Sequence, residues 1–160
     1  MYRYAELIDA ADFDAIAALF ADAVLTNEGV PGEVAGGEAI AKLYRRSNRV
    51  HPDGTLRTRH VTTNVLVDID EGANTAAARS AFVVLQQTDS LPLQPIATGR
   101  YRDRFARTAG TWHFAQRHII VDHVDERGCL HRAGCTLVSG MVKRKTAPPP
   151  ALFSAQILPP

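Results

Sequence analysis

Apolar residues recur every three or four positions through the first part of the chain, the spacing typical of helices that bury one face. This pattern predicts three helices. Their apolar positions are Tyr4, Leu7, Ile8 and Ala11 in the first, Phe13, Ile16, Ala17, Phe20 and Val24 in the second, and Ile40, Leu43 and Tyr44 in the third, between residues 37 and 48. Asp12 is suited to cap the second helix. Asp9 then lies at the junction of two helices, where its side chain points across the structure.

Gly, Pro and Asn are frequent between residues 26 and 37, which predicts a loop. The turn sequence at residues 51–54 ends the helical part. From Leu56 onward the hydrophobic period falls from 3.6 to 2, which predicts strands. Four strands are expected, at residues 56–70, 74–88, 95–107 and 111–124. Hairpin-type turns at residues 71–74 and 109–110 make neighbouring strands antiparallel, and residues 90–95, with two prolines, predict a longer connection.

Three helices followed by long strands predict the α+β class, with a curved sheet that wraps the helices into a cone whose mouth suits a small molecule. We assign residues 1–128 to this domain and residues 129–160 to a C-terminal extension. Five of the nine prolines lie within residues 143–160, so this tail cannot join a sheet interior. Two interpretations stay open for it: a disordered segment, or an arm laid against a neighbouring subunit.

The composition is that of one globular domain, since 46% of the 160 residues are hydrophobic and 22% are charged. Residues 1–42 hold eight acidic residues and two basic ones, although the net charge is only +1. We therefore expect an acidic helical segment on an arginine-rich sheet, with opposite charges interleaved at the border. A solvated strand face or hairpin rim explains the basic run better than a nucleic-acid groove, because no stacking aromatic pattern accompanies it. That run is Arg100, Arg102, Arg104 and Arg107.

The N-terminal residues lack a signal-peptide pattern, and no window approaches the roughly 18 apolar residues of a membrane span, so we expect a cytoplasmic protein without membrane contact. Cys129 and Cys135 fit neither a disulfide framework nor a zinc spacing. His113, His118 and His123 are spaced by five, which places successive members on opposite faces of a strand. A shared metal is therefore not expected.

His60 is the candidate general base, because the chain shows no phosphate-binding loop, no metalloprotease helix motif and no nucleophile elbow. It stands at the start of a strand-like run of β-branched residues. Because successive side chains of a strand point to opposite faces, His60 shares its face with Thr58, Thr62, Asn64 and Asp68. The other face then carries Val61, Val65, Val67 and Ile69. The polar face is either solvated or intersubunit, unless a bulge turns it into the cone.

Four segments carry a resemblance to a known family. They are the helix junction at residues 8–14, the strand at residues 59–64, and the pair at residues 99–105 and 110–114, with the sequences GRYRDRF and GTWHF. In order and spacing they resemble the SnoaL-like branch of the nuclear transport factor 2 (NTF2)-like superfamily, which includes scytalone dehydratase and the hexachlorocyclohexane dehydrochlorinase. The resemblance covers about residues 2–124. It implies a cone-shaped α+β barrel of the cystatin-like type.

In the enzymes of this branch the resemblance implies an Asp-His dyad inside the cone, which falls on Asp9 and His60. A buried carboxylate that holds one imidazole nitrogen makes the other nitrogen a better base. Such a dyad supports elimination, isomerisation or cyclisation without metal or organic cofactor. Scytalone dehydratase has a second cavity histidine on the next strand, where this chain has Arg79 and Ser80. Either of these residues is a candidate hydrogen-bond donor in its place.

The leading hypothesis is a cofactor-independent lyase or isomerase acting on a small hydrophobic cyclic or aromatic ligand. The expected substrate-binding residues are Tyr4, Tyr44, Ser80, Phe82, Tyr101 and His118, the last entering the cavity from the final strand. The alternative is a non-catalytic ligand-binding or assembly module, like the β subunits of ring-hydroxylating dioxygenases. If Asp9 and His60 lie within hydrogen-bond reach of each other beside an open cavity, the enzyme is favoured. A cone filled by side chains favours the module. Either function predicts a homo-oligomer, a dimer or a trimer.

Overall fold

The computed structural model describes residues 1–125, which form three helices and one sheet. The elements in chain order are α1 (Tyr2–Asp9), α2 (Phe13–Leu19), β1 (Val24–Asn27), β2 (Val30–Ala35), α3 (Gly37–Ser47), β3 (Thr58–Asp70), β4 (Thr75–Thr88), β5 (Leu91–Thr108) and β6 (Thr111–Val124). The six strands lie in the order β2-β1-β6-β5-β4-β3. Neighbouring strands are antiparallel, except for the parallel pair β1 and β6. The predicted α+β class is confirmed; the predictions for residues 129–160 lie outside the described residues.

One hydrophobic core joins the helices to the inner face of the sheet. Ile8, Ile16 and Ile40 contribute one residue from each helix and are almost fully buried. The inner face of the sheet contributes a second set to the same cluster: Leu25, Phe82, Val84, Tyr101 and Phe114. The helices therefore cover the sheet on one side only, and side chains that point to this side lie in the interior of the cone.

Local chemistry explains how the helices are arranged. Asp12 caps α2 as predicted, since its Oδ1 accepts the backbone N–H of Ala15 at 3.0 Å. Gly37 opens α3 directly against α2, where a Cβ atom would overlap the backbone of Ala17. Arg45 and Asp14 form an exposed ion pair between the same two helices. The close approach of α2 and α3 therefore depends on a residue without a side chain.

Two sequence predictions about connections are wrong. Residues 26–37 are not a loop, because β1 and β2 pair there as a hairpin closed by Gly29, which has a φ of 75°. Val24 belongs to β1 and not to the second helix, which ends at Leu19. The short strands were hidden in the sequence because Gly, Pro and Asn are also the residues of a tight hairpin.

The proline-containing segment after β4 is also strand and not a longer connection. Strand β5 begins at Leu91 and pairs with β4 from there onward. Pairing with β6 begins only at Ala97. Pro92 and Pro95 therefore lie where β5 has a partner on one side only, which is the position in a sheet that tolerates a missing N–H.

A bulge in β3 changes which side chains face the helices. The pairing of β3 with β4 is regular from Thr58 to Thr63 and shifts before Leu66, with Asn64 at a φ of 53°. Thr62 is paired with Phe82, and beyond the bulge Val67 is paired with Ala78. Phe82 and Ala78 are both buried on the inner face of β4. The prediction that every second residue from Thr58 to Asp68 shares one face is therefore wrong. It holds for Thr58, His60 and Thr62, which precede the bulge.

The arginine run lies on the outer face of the sheet. Arg100, Arg102 and Arg104 are exposed, whereas Tyr101 and Asp103 between them are buried. Arg100 is bonded to Asp122 at 2.6 Å, and Arg107 at the hairpin rim is bonded to Glu71 at 2.7 Å. The prediction of a solvated face is confirmed. Arg100, Arg102 and Arg104 do not contribute to a charged border with the acidic helices, because they lie on the face of the sheet that the helices do not cover.

Candidate active site

Asp9 is the last residue of α1 and points toward the start of β3. Helix α1 ends in a tight turn in which Ala11 has a φ of 54° and Asp12 N–H donates to the carbonyl of Leu7. The backbone carbonyl of Asp9 accepts the N–H of Leu56, just before β3. The end of the first helix and the start of the third strand are therefore held together around this carboxylate.

Three donors converge on the two oxygens of Asp9. Oδ1 accepts from the Thr58 hydroxyl at 2.7 Å and from the His60 ring Nδ1 at 2.6 Å. Oδ2 accepts the backbone N–H of His60 at 2.9 Å. Both side chains of the Asp9–His60 pair are only 9% exposed. The residues proposed as a dyad are therefore in direct contact in a nearly dry position.

The hydrogen bonds decide the charge of Asp9. Burial alone raises the pKa of Asp9, but the hydrogen bonds from the His60 ring and the Thr58 hydroxyl bring it below its ordinary value. Asp9 is therefore a carboxylate at neutral pH, and an acceptor only. Because Nδ1 of His60 donates to it, the lone pair of a neutral His60 lies on Nε2, which is hydrogen-bonded to none of residues 1–125.

Aromatic side chains surround this pair. The Tyr4 ring meets the His60 ring edge-on at 6.2 Å, and its hydroxyl is 3.1 Å from the hydroxyl of Tyr44. Phe82 and Tyr101 are stacked at 4.5 Å. Burial raises the pKa of Tyr4, and raises those of Tyr44 and Tyr101 well above the ordinary value. These hydroxyls therefore stay protonated and serve as hydrogen-bond donors.

Ser80 lies on the same inner face, directly opposite Tyr101 in the register of β4 and β5. It is 5% exposed, and its hydroxyl has no hydrogen-bond partner within residues 1–125. Five of the six predicted substrate-binding side chains therefore lie in the interior near the dyad. They are Tyr4, Tyr44, Ser80, Phe82 and Tyr101.

The sixth, His118, is on the other side of the sheet, so the prediction that it enters the cavity is wrong. It is paired in register with the exposed Arg102. Its ring nitrogens are bonded to the hydroxyl of Thr26 at 2.8 Å and to the carboxylate of Glu28 at 3.1 Å. His118 ties β6 to the hairpin of β1 and β2, and its inner-face position is taken by its neighbour Arg117.

Arg117 and Asp103 form a buried ion pair that the sequence did not indicate. Two guanidinium nitrogens of Arg117 each lie 2.8 Å from Asp103, and the side chains are 1% and 0% exposed. The guanidinium carbon is 4.2 Å from the ring centre of Tyr101 and 4.4 Å from that of Tyr4. Burial lowers the pKa of Arg117, but the bonds to Asp103 outweigh this effect and raise it.

One nitrogen of this guanidinium, Nη1, has no hydrogen-bond partner in the described part of the chain. A buried polar group without a partner costs free energy, on the order of 1–3 kcal/mol, which a bound acceptor recovers. The sequence contained one signal for Asp103, because residues two apart in a strand share a face and Tyr101 was predicted to face the interior. It offered none for Arg117, because the shift in pairing after Arg104 breaks the alternation of β6.

Open space reaches the Asp9 side of the dyad, and His60 is not among the residues that line it. Asp9 and Thr58 line a surface groove of about 650 Å³ together with Gln86 and Leu85. Arg57 stands at its rim, bonded at 2.9 Å to Asp53 and at 2.9 Å to Asp89. Among residues 1–125, no group of three or more His, Cys, Asp and Glu side chains converges as a metal site would require.

Solved structures of similar architecture, with helices on one face of a curved sheet, are described as an NTF2-like protein with a cystatin-like fold and as a protein with a cystatin-like fold. A family model described as a SnoaL-like domain matches residues 1–118. The chain therefore belongs to the SnoaL-like family. Among functionally curated proteins, none matches the sequence significantly.

Three solved structures illustrate the range of this fold. A protein of unknown function from Mycobacterium tuberculosis is 28% identical, with a TM-score of 0.61 over 77% of this chain and 68% of that one. A putative scytalone dehydratase from Novosphingobium aromaticivorans is 20% identical, with a TM-score of 0.61 over 84% and 88%. The β subunit of a putative aromatic-ring-hydroxylating dioxygenase from the same organism is also 20% identical, with a TM-score of 0.61 over 81% and 89%. At 20% identity the likeness concerns the fold.

Proposed function

We propose that the protein is a cofactor-independent lyase or isomerase that removes a proton from a carbon atom of a small hydrophobic cyclic or aromatic molecule. The observation that carries the proposal is the buried contact of 2.6 Å between His60 Nδ1 and Asp9 Oδ1. It leaves Nε2 of His60 as the nitrogen that takes the proton. Similarity in fold to a putative scytalone dehydratase supports the same class of chemistry.

The residues around the dyad suit the charge changes of this step. When Nε2 takes the proton, the imidazolium is stabilised by the Asp9 carboxylate at the opposite nitrogen. The electron pair left on the substrate moves toward an adjacent oxygen, which needs donors. Ser80 and Arg117 Nη1 both have donors in the interior that no group within residues 1–125 accepts. Loss of water or halide, isomerisation and cyclisation all begin with this proton transfer, and the proposal extends to that shared step.

Proton removal is measured most simply as hydrogen exchange on a probe of the proposed class. The cyclic ketone 2-tetralone has acidic C–H groups beside its carbonyl, and their replacement by deuterium in D₂O is followed by ¹H NMR. We expect the protein to accelerate this exchange, and His60→Gln to lower the acceleration by about 10²-fold or more, the usual contribution of a general base.

His123→Gln is the matched control, because His123 is exposed on the outer face and bonded to Thr98 at 3.0 Å. It should exchange the probe at the rate of the unmodified protein. Equal rates in the His60 and His123 variants would remove His60 from the chemistry. Absence of acceleration by the unmodified protein, with a ketone shown by NMR to bind next to Phe82, would contradict the enzymatic function itself.

A second candidate function, a non-catalytic assembly module, is favoured by one specific observation. The guanidinium of Arg117 occupies the interior and lies against four aromatic rings, with Phe114 at 4.9 Å and Phe20 at 5.7 Å besides the two tyrosines. A cone filled in this way suits a protein that binds a partner and not a substrate. The similarity in fold to a dioxygenase β subunit agrees with it. Failure of small cyclic ketones to bind near Phe82 would select this function.

The predictions of a dimer or trimer, of a cytoplasmic location and of no nucleic-acid partner remain predictions. The outer face of β3 exposes Val61 and Leu66, with 42% and 54% of their surface accessible, as a self-association surface would. None of the helices within residues 1–125 has the length and apolar character needed to cross a membrane.

A further inference from the structure

Thr58 makes a contact with the dyad that the proposed reaction does not use. It is the first residue of β3 and is 8% exposed. Its hydroxyl donates at 2.7 Å to Oδ1 of Asp9, the same oxygen that accepts from His60 Nδ1 at 2.6 Å. The other oxygen, Oδ2, is occupied by the backbone N–H of His60. One carboxylate oxygen therefore serves two side-chain donors.

Two donors on one oxygen share its negative charge. Hydrogen bonds to ionised groups are about twice as strong as neutral ones, so the Thr58 hydroxyl draws a substantial part of that charge to itself. Less of it then acts on the Nδ1 proton of His60. We propose that Thr58 is a positioning residue that fixes the Asp9 carboxylate and limits how strongly Asp9 attracts this proton. The inference rests on the proposed function, in which His60 is the base.

Other polar side chains around the dyad make their contacts with residues other than Asp9. On α1, the Tyr4 hydroxyl donates to Tyr44 of α3. Tyr101 of β5 lies against Arg117 of β6, and Arg117 is bonded to Asp103. Besides the His60 ring, Thr58 is therefore the one side chain within residues 1–125 that donates to Asp9. The lowered pKa of Asp9, to which the Thr58 hydrogen bond contributes, agrees with this role.

Two substitutions separate the hydroxyl from the shape of Thr58. Thr58→Val keeps the shape and removes the donor, whereas Thr58→Ser keeps the donor and removes a methyl group. The ¹H chemical shift of the His60 Nδ1 proton, observed in ¹⁵N-labelled protein, reports the strength of the bond to Asp9. We expect this signal to move downfield in Thr58→Val and to stay in place in Thr58→Ser.

A second readout is the titration of the Asp9 carboxyl carbon by ¹³C NMR. Loss of a donor to the carboxylate should raise the pKa of Asp9 in Thr58→Val, and Thr58→Ser should leave it unchanged. If Thr58→Val does not fold, as judged by circular dichroism, Thr58→Ala provides the same test and the same expected shifts.

If the His60 Nδ1 proton shift and the pKa of Asp9 are the same in all variants and in the unmodified protein, the proposal is overturned, because Thr58 would then only fill space. Equal displacement in the valine and serine variants would also overturn it, since the serine retains the hydroxyl. Neither readout depends on turnover. The hydrogen-exchange experiment therefore fails or succeeds independently, and loss of the base function is distinguishable from loss of this role.

Discussion

Asp9 keeps its charge in a largely buried position because both of its oxygens accept hydrogen bonds from protein donors. Desolvation of an isolated carboxylate favours the protonated form, whereas each hydrogen bond to the anion favours the charged form. In Asp9 the second effect is the larger one, since the pKa of the carboxyl is below its ordinary value. The same arrangement that fixes the His60 tautomer therefore also couples folding to pH.

The sign of this coupling follows from the lowered pKa of Asp9. A carboxyl group whose folded-state pKa is depressed stabilises the fold fully above its unfolded value, about 3.9, and loses that contribution as the pH falls through the folded value. In Asp9→Asn this dependence is absent. We expect the variant to lose about 1–3 kcal/mol of unfolding free energy at pH 7, and a smaller amount at pH 3.

Urea denaturation between pH 7 and pH 3 measures the difference. Asp89→Asn is the control, because Asp89 is 95% exposed and its ion pair with Arg57 is open to solvent. It should change the unfolding free energy little at either pH. A constant loss in Asp9→Asn across the whole pH range would show that the charge of Asp9 does not contribute to stability.

Sequence reasoning brought Asp9 and His60 together and identified five of the interior residues near them, but it misplaced His118 and missed the ion pair of Arg117 and Asp103. Asp9 was marked by a helix junction and His60 by a lone imidazole in a strand, and the resemblance connected them. Arg117 and His118 are adjacent on β6, and alternation alone cannot say which of two neighbours points inward. Which of the two points inward depends on the shift of pairing between β5 and β6, and tertiary contacts determine that shift. The buried ion pair was missed for that reason.

At the scale of elements, Gly99 of β5 allows the Phe82 side chain of β4 and the backbone of β6 to approach β5 closely. Gly99 lies opposite Phe82 in the register of β4 and β5. A Cβ atom there would come within 2.6 Å of the Phe82 ring and would also overlap the carbonyl oxygen of Ile120. The missing side chain lets the Phe82 ring lie flat over β5, where it stacks on Tyr101.

Gly99→Ala should therefore be costly although alanine suits a strand sterically. The overlap requires movement of backbone and of a buried ring, and overpacking of this kind costs about 1–3 kcal/mol or more. Gly72→Ala is the matched control, because its added Cβ meets only the Asp70 carboxylate, at 3.5 Å. Thermal unfolding of both variants tests the expectation. A Gly99→Ala melting temperature as high as that of Gly72→Ala would contradict the packing described for Phe82.

Long strands and helices were predictable because each repeats one period over many residues. The third helix, expected at residues 37–48, is α3 (Gly37–Ser47), and the last strand has the predicted bounds, Thr111–Val124. The hairpin of β1 and β2 was missed because two strands of four and six residues are too short for a period to show. The bulge in β3 was left open as an alternative, because whether and where it occurs depends on pairing with β4.

Over the whole molecule, the sheet separates two chemical environments. The interior between its inner face and the helices holds the dyad, the buried tyrosines Tyr4, Tyr44 and Tyr101, and the Asp103–Arg117 pair. The outer face of the sheet carries exposed arginines and aliphatic residues. The order of three helices before long strands was enough to predict this layering, since amphipathic elements must bury their apolar faces against each other. The proposed function depends on residues of this interior, part of which the Asp103–Arg117 pair occupies.

The most direct test of the account is a double-mutant cycle on the exchange of 2-tetralone, because the central claim is that Asp9 and His60 act as one unit. Residues that act as a unit are far from additive in their effects on rate. We therefore expect Asp9→Asn and His60→Gln each to reduce the rate, and the double variant to be no slower than His60→Gln alone. Losses that multiply in the double variant, or full exchange activity in Asp9→Asn, would contradict the dyad.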